Sequence, residues 1–111
     1  MKLQRRDRDD IVIFDLGGNF RRPANIPLHQ EVKDQLGAGR RNFLLNFKNL
    51  KSMDSHGVGE LIASLHSIHY AGGKLKITNM PSQIQYMFKI TALETVFEIF
   101  EDEETAIESF S

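Results

Sequence analysis

A chain of 111 residues, 41% of them hydrophobic, with a net charge of −1, is long enough for one domain that buries roughly 65% of its unfolded surface. That near-neutral balance argues against electrostatic binding of nucleic acid, which normally brings a basic excess. Lacking cysteine, the chain has neither disulfides nor thiolate metal sites. No apolar run is long enough to span a bilayer, and the charged stretch 1–10 has no apolar leader segment behind it, so a cytoplasmic protein without membrane insertion is expected.

Residues 3–8 are mostly charged, and Asp9-Asp10 supply a turn before Ile11-Val12-Ile13-Phe14. This predicts a hairpin whose charged outer strand is a sheet edge. Residues 11–16 read as a central strand buried on both faces, ended by Gly17-Gly18. A loop over residues 19–25 follows. Ile26, Leu28, Val32 and Leu36 then mark a helix with Pro27 in its first turn and Asn25 as cap, stopped by Gly37-Ala38-Gly39. Arg40, Arg41 and Lys48 are scattered and read as a solvated rim.

Asn42-Phe43-Leu44-Leu45-Asn46-Phe47 is a buried strand by composition. Val58, Leu61, Ile62, Leu65 and Ile68 recur at helical spacing, one apolar stripe on a helix of about four turns. The intervening stretch, residues 52–60, is therefore a strand-to-helix turn with Asp54 or Ser55 as N-cap. It lies at the mouth of a parallel sheet, beside free backbone N–H groups that suit an anion.

The helix ends at Ala71-Gly72-Gly73, where glycine permits a left-handed C-cap. Lys74-Leu75-Lys76-Ile77-Thr78 alternates polar and apolar residues, a strand with one wet face. Strand, helix and strand make a βαβ unit with a right-handed crossover expected. Ser82-Gln83-Ile84-Gln85 fits a capping box opening a third helix, with Ile84, Met87 and Phe88 inward. Thr91-Ala92-Leu93-Glu94 is a second such box. Residues 96–100 are the last strand. Glu101 to Glu104 place acid at the start of a final helix docked by Ala106, Ile107 and Phe110. The expected fold is α/β: a single small domain over residues 1–111, with a mostly parallel sheet, an antiparallel edge hairpin and four to five packed helices.

Enzyme motifs are missing. Gly57-Val58-Gly59 lacks the third glycine and later acid of a dinucleotide fingerprint, and no Gly-Lys-Ser/Thr triplet exists. Ser55 has no glycine two positions before it, as a nucleophile elbow requires. Asp54, Ser55 and His56 diverge on a turn, so adjacency alone makes no triad. His66 and His69 share a helix face but lack a third ligand at suitable spacing, and His29 and His56 stand alone. No cofactor or metal is implied.

The run Phe43-Leu44-Leu45-Asn46-Phe47, then Met53-Asp54-Ser55-His56-Gly57-Val58-Gly59-Glu60-Leu61, resembles the core of STAS domains of the anti-sigma factor antagonist type. The likeness continues in order through residues 71–75, 84–88, 90–93 and 96–97, and into the acidic stretch before the last helix. It implies a switch protein rather than an enzyme. Such a protein, unphosphorylated, binds an anti-sigma factor, usually a serine protein kinase, and so frees a sigma factor. The kinase phosphorylates the serine after the motif aspartate, and a PP2C-type phosphatase reverses this. That serine corresponds to Ser55. By the same resemblance Asp54 orients the loop, and Gly57 and Gly59 keep the backbone accessible. Asp54, His56, Gly57, Val58 and Glu60, with Asn19 and Arg21 opposite, form the expected partner-binding set of a monomer.

Three departures stand out. Gly18 is followed by Asn19-Phe20-Arg21-Arg22 where the family often has an acidic segment, so a basic pair lies near Ser55, able to hold a phosphate or select an acidic partner. His56 stands where the residue is usually small, and Ala92 where glycine is common. The alternative reading is an unphosphorylated accessory subunit of a membrane transport complex or signalling scaffold, with Ser55 only a cap.

Overall fold

In the computed structural model, which describes residues 1–21 and 27–111, the charged outer strand forms β1 (Lys2–Arg8) and pairs antiparallel with β2 (Ile11–Phe20). The chain turns at Asp9, whose φ of 55° falls in the left-handed region that aspartate tolerates better than most residues. β3 (Asn42–Met53), β4 (Lys74–Thr78) and β5 (Glu98–Phe100) add in parallel, giving the order β1-β2-β3-β4-β5. Between the strands run α1 (Leu28–Gly37), α2 (Ser55–Tyr70), α3 (Ser82–Ile90) and a 3-10 turn at Leu93–Thr95, and α4 (Glu103–Glu108) follows β5. This is the small α/β domain with an antiparallel edge hairpin that the sequence predicts.

Alternation along the strands divides the core in two. Val12, Phe14, Leu16, Phe43, Leu45, Phe47, Leu75 and Ile77 face α1, α2 and α3, where Leu28, Val32, Leu61, Leu65, Ile68, Ile84 and Phe88 close over them. Ile11, Ile13 and Leu44 face the other way, onto Ala106 and Ile107 of α4 and Phe110 just beyond its end. Ile62 drops out of the expected α2 stripe, being 36% exposed. Each fully buried aliphatic or aromatic side chain contributes roughly 1.5–3 kcal/mol of transfer free energy.

Strand lengths differ from expectation. β2 passes through Gly17-Gly18 to Phe20 because two register slips against β3, at Asp15/Gly17 and Gly18/Asn19, take up the glycines. Gly18 has a φ of 79°, which a residue with a Cβ adopts poorly. β3 runs on past Phe47 through Lys48, Asn49 and Lys51, since β2 still pairs with it while their side chains reach solvent. The last strand is shorter than predicted: Val96 is exposed at the end of the 3-10 turn, and only Glu98–Phe100 pair with β4.

The two predicted capping boxes are not formed. Pro81 occupies the N-cap of α3, Ser82 is already helical, and Gln85 donates instead to the Met80 carbonyl at 2.8 Å. Thr91 turns its hydroxyl back to the Met87 carbonyl at 2.6 Å. Ala92 then sits at φ 61°, a left-handed conformation that costs an alanine about 1 kcal/mol. At α1 the proline is the N-cap rather than a first-turn residue; Asn25 and Ile26 lie outside the described residues.

Lys76 overturns the expected wet face of β4. It is 4% exposed. Its Nζ donates to the Ser109 carbonyl at 3.0 Å and hydroxyl at 2.7 Å, lies 3.4 Å from the Glu98 carboxylate, and sits 4.7 Å from the Phe110 ring centre. α4 is held from its other end by ion pairs. Arg6 donates to Asp15 at 2.6 Å and to Glu103 at 2.6 Å, and Arg8 to Glu104 at 2.6 Å. Asp15, and then Glu103, raise the Arg6 guanidinium above its already high ordinary value.

Asp102 caps α4, accepting from Thr105 N at 2.8 Å, and that bond holds its carboxyl below the ordinary 3.8. A depressed folded-state value means the cap contributes fully above the unfolded-state value and is lost as pH falls through the folded one. Asp102→Asn keeps a capping oxygen without a titrating proton. We expect it to flatten the acid limb of a melting-temperature curve recorded from about pH 5 to pH 2 by calorimetry. An unchanged acid limb would show that other carboxylates carry it.

Candidate functional site

At one end of the sheet, β2 and β3 terminate together, with Asn19 beside Ser52 and Phe20 beside Met53. The Ser52 hydroxyl donates to Asn19 Oδ1 at 2.6 Å. Asp54 alone turns the chain from β3 into α2: its N–H donates to the Phe20 carbonyl at 3.2 Å, while its carboxylate accepts from His56 N at 2.9 Å and Gly57 N at 3.1 Å. Of the two candidate caps, Asp54 is the cap, and Ser55 is the first residue of the helix. Such a cap is worth about 1 kcal/mol.

Ser55 is exposed. With Asp54 answering two of the first-turn N–H groups, the serine hydroxyl is not engaged as the cap and faces the medium. His56 and Val58 are half-buried, and Val58 packs on the main core. Asn19 and Arg21 are exposed on the facing strand end. Arg22 lies outside the described residues.

Two members of the predicted set have other employment. Gly57 is buried, so it presents no surface of its own to a partner. A Cβ there would run into the Phe20 carbonyl oxygen and come within 2.7 Å of Met53 Cγ, so the missing side chain is what lets α2 lie against β2. Gly59, by contrast, has open space around it. Glu60 turns inward to α1, which lacks a side-chain cap of its own, and its carboxylate accepts from His29 N at 3.2 Å. His29 Nε2 is hydrogen-bonded to the Ser67 hydroxyl at 2.7 Å, a second tie between the same helices. No sequence signal marked these two pairings, because they join residues 31 and 38 positions apart.

His66 and His69 are exposed on α2, and among the described residues no three His, Asp or Glu side chains gather as metal ligands. Among those residues no helix is long and apolar enough to cross a membrane.

An exposed serine thus follows a completed helix cap at the mouth of a parallel-strand pair. Residues 2–106 match the STAS domain, and the chain belongs to that family. Its fold is shared with solved structures of low sequence identity. The Thermotoga maritima protein TM1081 is 22% identical over 96% of this chain and 92% of that one, with a TM-score of 0.84. An anti-sigma factor antagonist from Mycobacterium paratuberculosis is 13% identical over 97% and 92%, with a TM-score of 0.84. The Bacillus cell fate determinant SpoIIAA in its phosphorylated form is 20% identical over 99% and 100%, with a TM-score of 0.76.

Proposed function

We propose that this chain is a phosphorylation-switched anti-sigma factor antagonist of the cytoplasm. Unmodified and monomeric, it binds an anti-sigma factor that is also a serine kinase, and so releases a sigma factor. The kinase phosphorylates Ser55, and a PP2C-type phosphatase restores the binding form. The observation that carries this reading is the exposure of Ser55 one residue after a cap that is complete without it. A phosphate adds about −1.5 to −2 charges there without disturbing the cap. Inside an interface the same charge must be desolvated or meet acid, and each 1.4 kcal/mol of penalty is tenfold in affinity. Modification therefore evicts the partner and leaves the domain folded.

The test is to incubate the protein with ATP and an anti-sigma serine kinase from the same organism, locate phosphate by mass spectrometry, and titrate binding. We expect phosphate on Ser55 alone, none on Ser55→Ala, and at least tenfold weaker kinase binding by Ser55→Asp with unchanged melting. Phosphate elsewhere, or full-strength binding by Ser55→Asp, would reject the switch and favour an unphosphorylated accessory subunit.

A further inference from the structure

Of the described arginines, Arg5, Arg6, Arg8 and Arg40 pair with acids, and Arg41 donates to carbonyls. Arg21 is exposed and has no partner among the described residues. Its place is nonetheless fixed. Phe20 is in register with Met53, its carbonyl accepts from Asp54 N at 3.2 Å, and Gly57 lies directly on it. Arg21 is one residue beyond Phe20, and Ser55 one residue beyond Asp54. A long, exposed cation, unpartnered among the described residues, thus follows one side of a rigid backbone contact, and the exposed serine follows the other. The charged and titratable groups nearest this contact in the chain, among the described residues, are Asp54 at the head of α2, His56 and Glu60 within it, and Lys51 on β3; Asp54 and Glu60 accept from backbone N–H groups.

We infer that Arg21 is the phosphoserine receptor of this domain, closing on a phosphate at Ser55 from the end of β2. This rests on the reading of Ser55 as a phosphate acceptor. A guanidinium matches phosphate with two parallel N–H donors, which an ammonium cannot do. The modified loop is then held in one shape, with part of its new charge answered by the protein itself.

The experiment installs phosphoserine at position 55 during translation, so that no kinase is needed, and follows the phosphate by phosphorus NMR against pH. In the full chain the second ionisation should fall from near 6 to about 5.5. Arg21→Gln should return it to near 6 and Arg21→Lys should recover only part of the effect. His56→Gln and Arg5→Gln should leave it where the full chain has it. The assignment is overturned if Arg21→Gln titrates like the full chain, or if Arg22→Gln abolishes the effect while Arg21→Gln does not. Phosphoserine that binds Arg21 yet leaves partner affinity unchanged would reject the switch while sustaining this inference; a phosphate titrating near 6 throughout, with partner affinity still lost, would overturn this inference and sustain the switch.

Discussion

Gly57→Ala should lose about 3 kcal/mol of stability, whereas Gly59→Ala, two residues along the same helix, should gain about 0.5–1 kcal/mol. The helix itself favours alanine at both positions by up to about 1 kcal/mol. What separates them is the neighbour. At Gly57 the added methyl meets the Phe20 carbonyl oxygen, with Phe20 Cγ at 3.1 Å behind it. Met53 can rotate away, but a backbone oxygen in a paired strand cannot. That same oxygen accepts from Asp54 N, so any shift that admits the methyl also pulls on the cap and displaces Ser55. At Gly59 nothing lies within 4 Å of the added carbon. Urea unfolding of the two variants measures the contrast, and equal midpoints would mean that α2 does not press on β2 as described.

Lys76→Ala should cost about 3 kcal/mol, and Lys76→Met only about 1 kcal/mol. Both variants leave the Ser109 carbonyl without its donor, a loss largely offset because an ammonium is no longer buried. The alanine in addition vacates the space beside the rings of Phe100 and Phe110. Methionine restores the volume and most of the ring contact. Glu98 loses little in either variant, because its side chain is 63% exposed and remains hydrated. Since α4 lies on the sheet face opposite α1, α2 and α3, neither change should alter the partner binding we propose for the Ser55 surface. Calorimetry with a binding titration tests both halves, and equal losses in the two variants would assign the whole effect to charge.

Much of this was legible in the residues. The hairpin, the βαβ unit and the final helix follow from period-two and period-3.6 patterns joined by Asp-Asp and glycine turns. Asp54 and Ser55 mark a helix start, and of the two candidate caps the structure uses Asp54. What stayed hidden depended on neighbours distant in sequence. Lys74 and Lys76 look equally wet by alternation, yet α4 covers only the second. Ser82 and Thr91 carry the spacing of capping boxes, but Pro81 fixes one helix start and the Met87 carbonyl captures the other hydroxyl. Gly57 and Gly59 read alike until the Phe20 carbonyl is placed beneath one of them. Glu60 reads as surface because nothing local shows that α1 begins without a cap.

β3 pairs with β4 only as far as Asn46 and Thr78, yet continues with β2 to Met53. The serine therefore rides on an overhang, a ribbon anchored at its root by the full sheet and free of β4 along its outer half. Its inner side chains, Phe20 and Leu50, are nonetheless part of the main core, with Met53 and Val58 packed against it. A load applied at the tip is therefore carried into the interior by side-chain packing and by β2, with no share taken by β4.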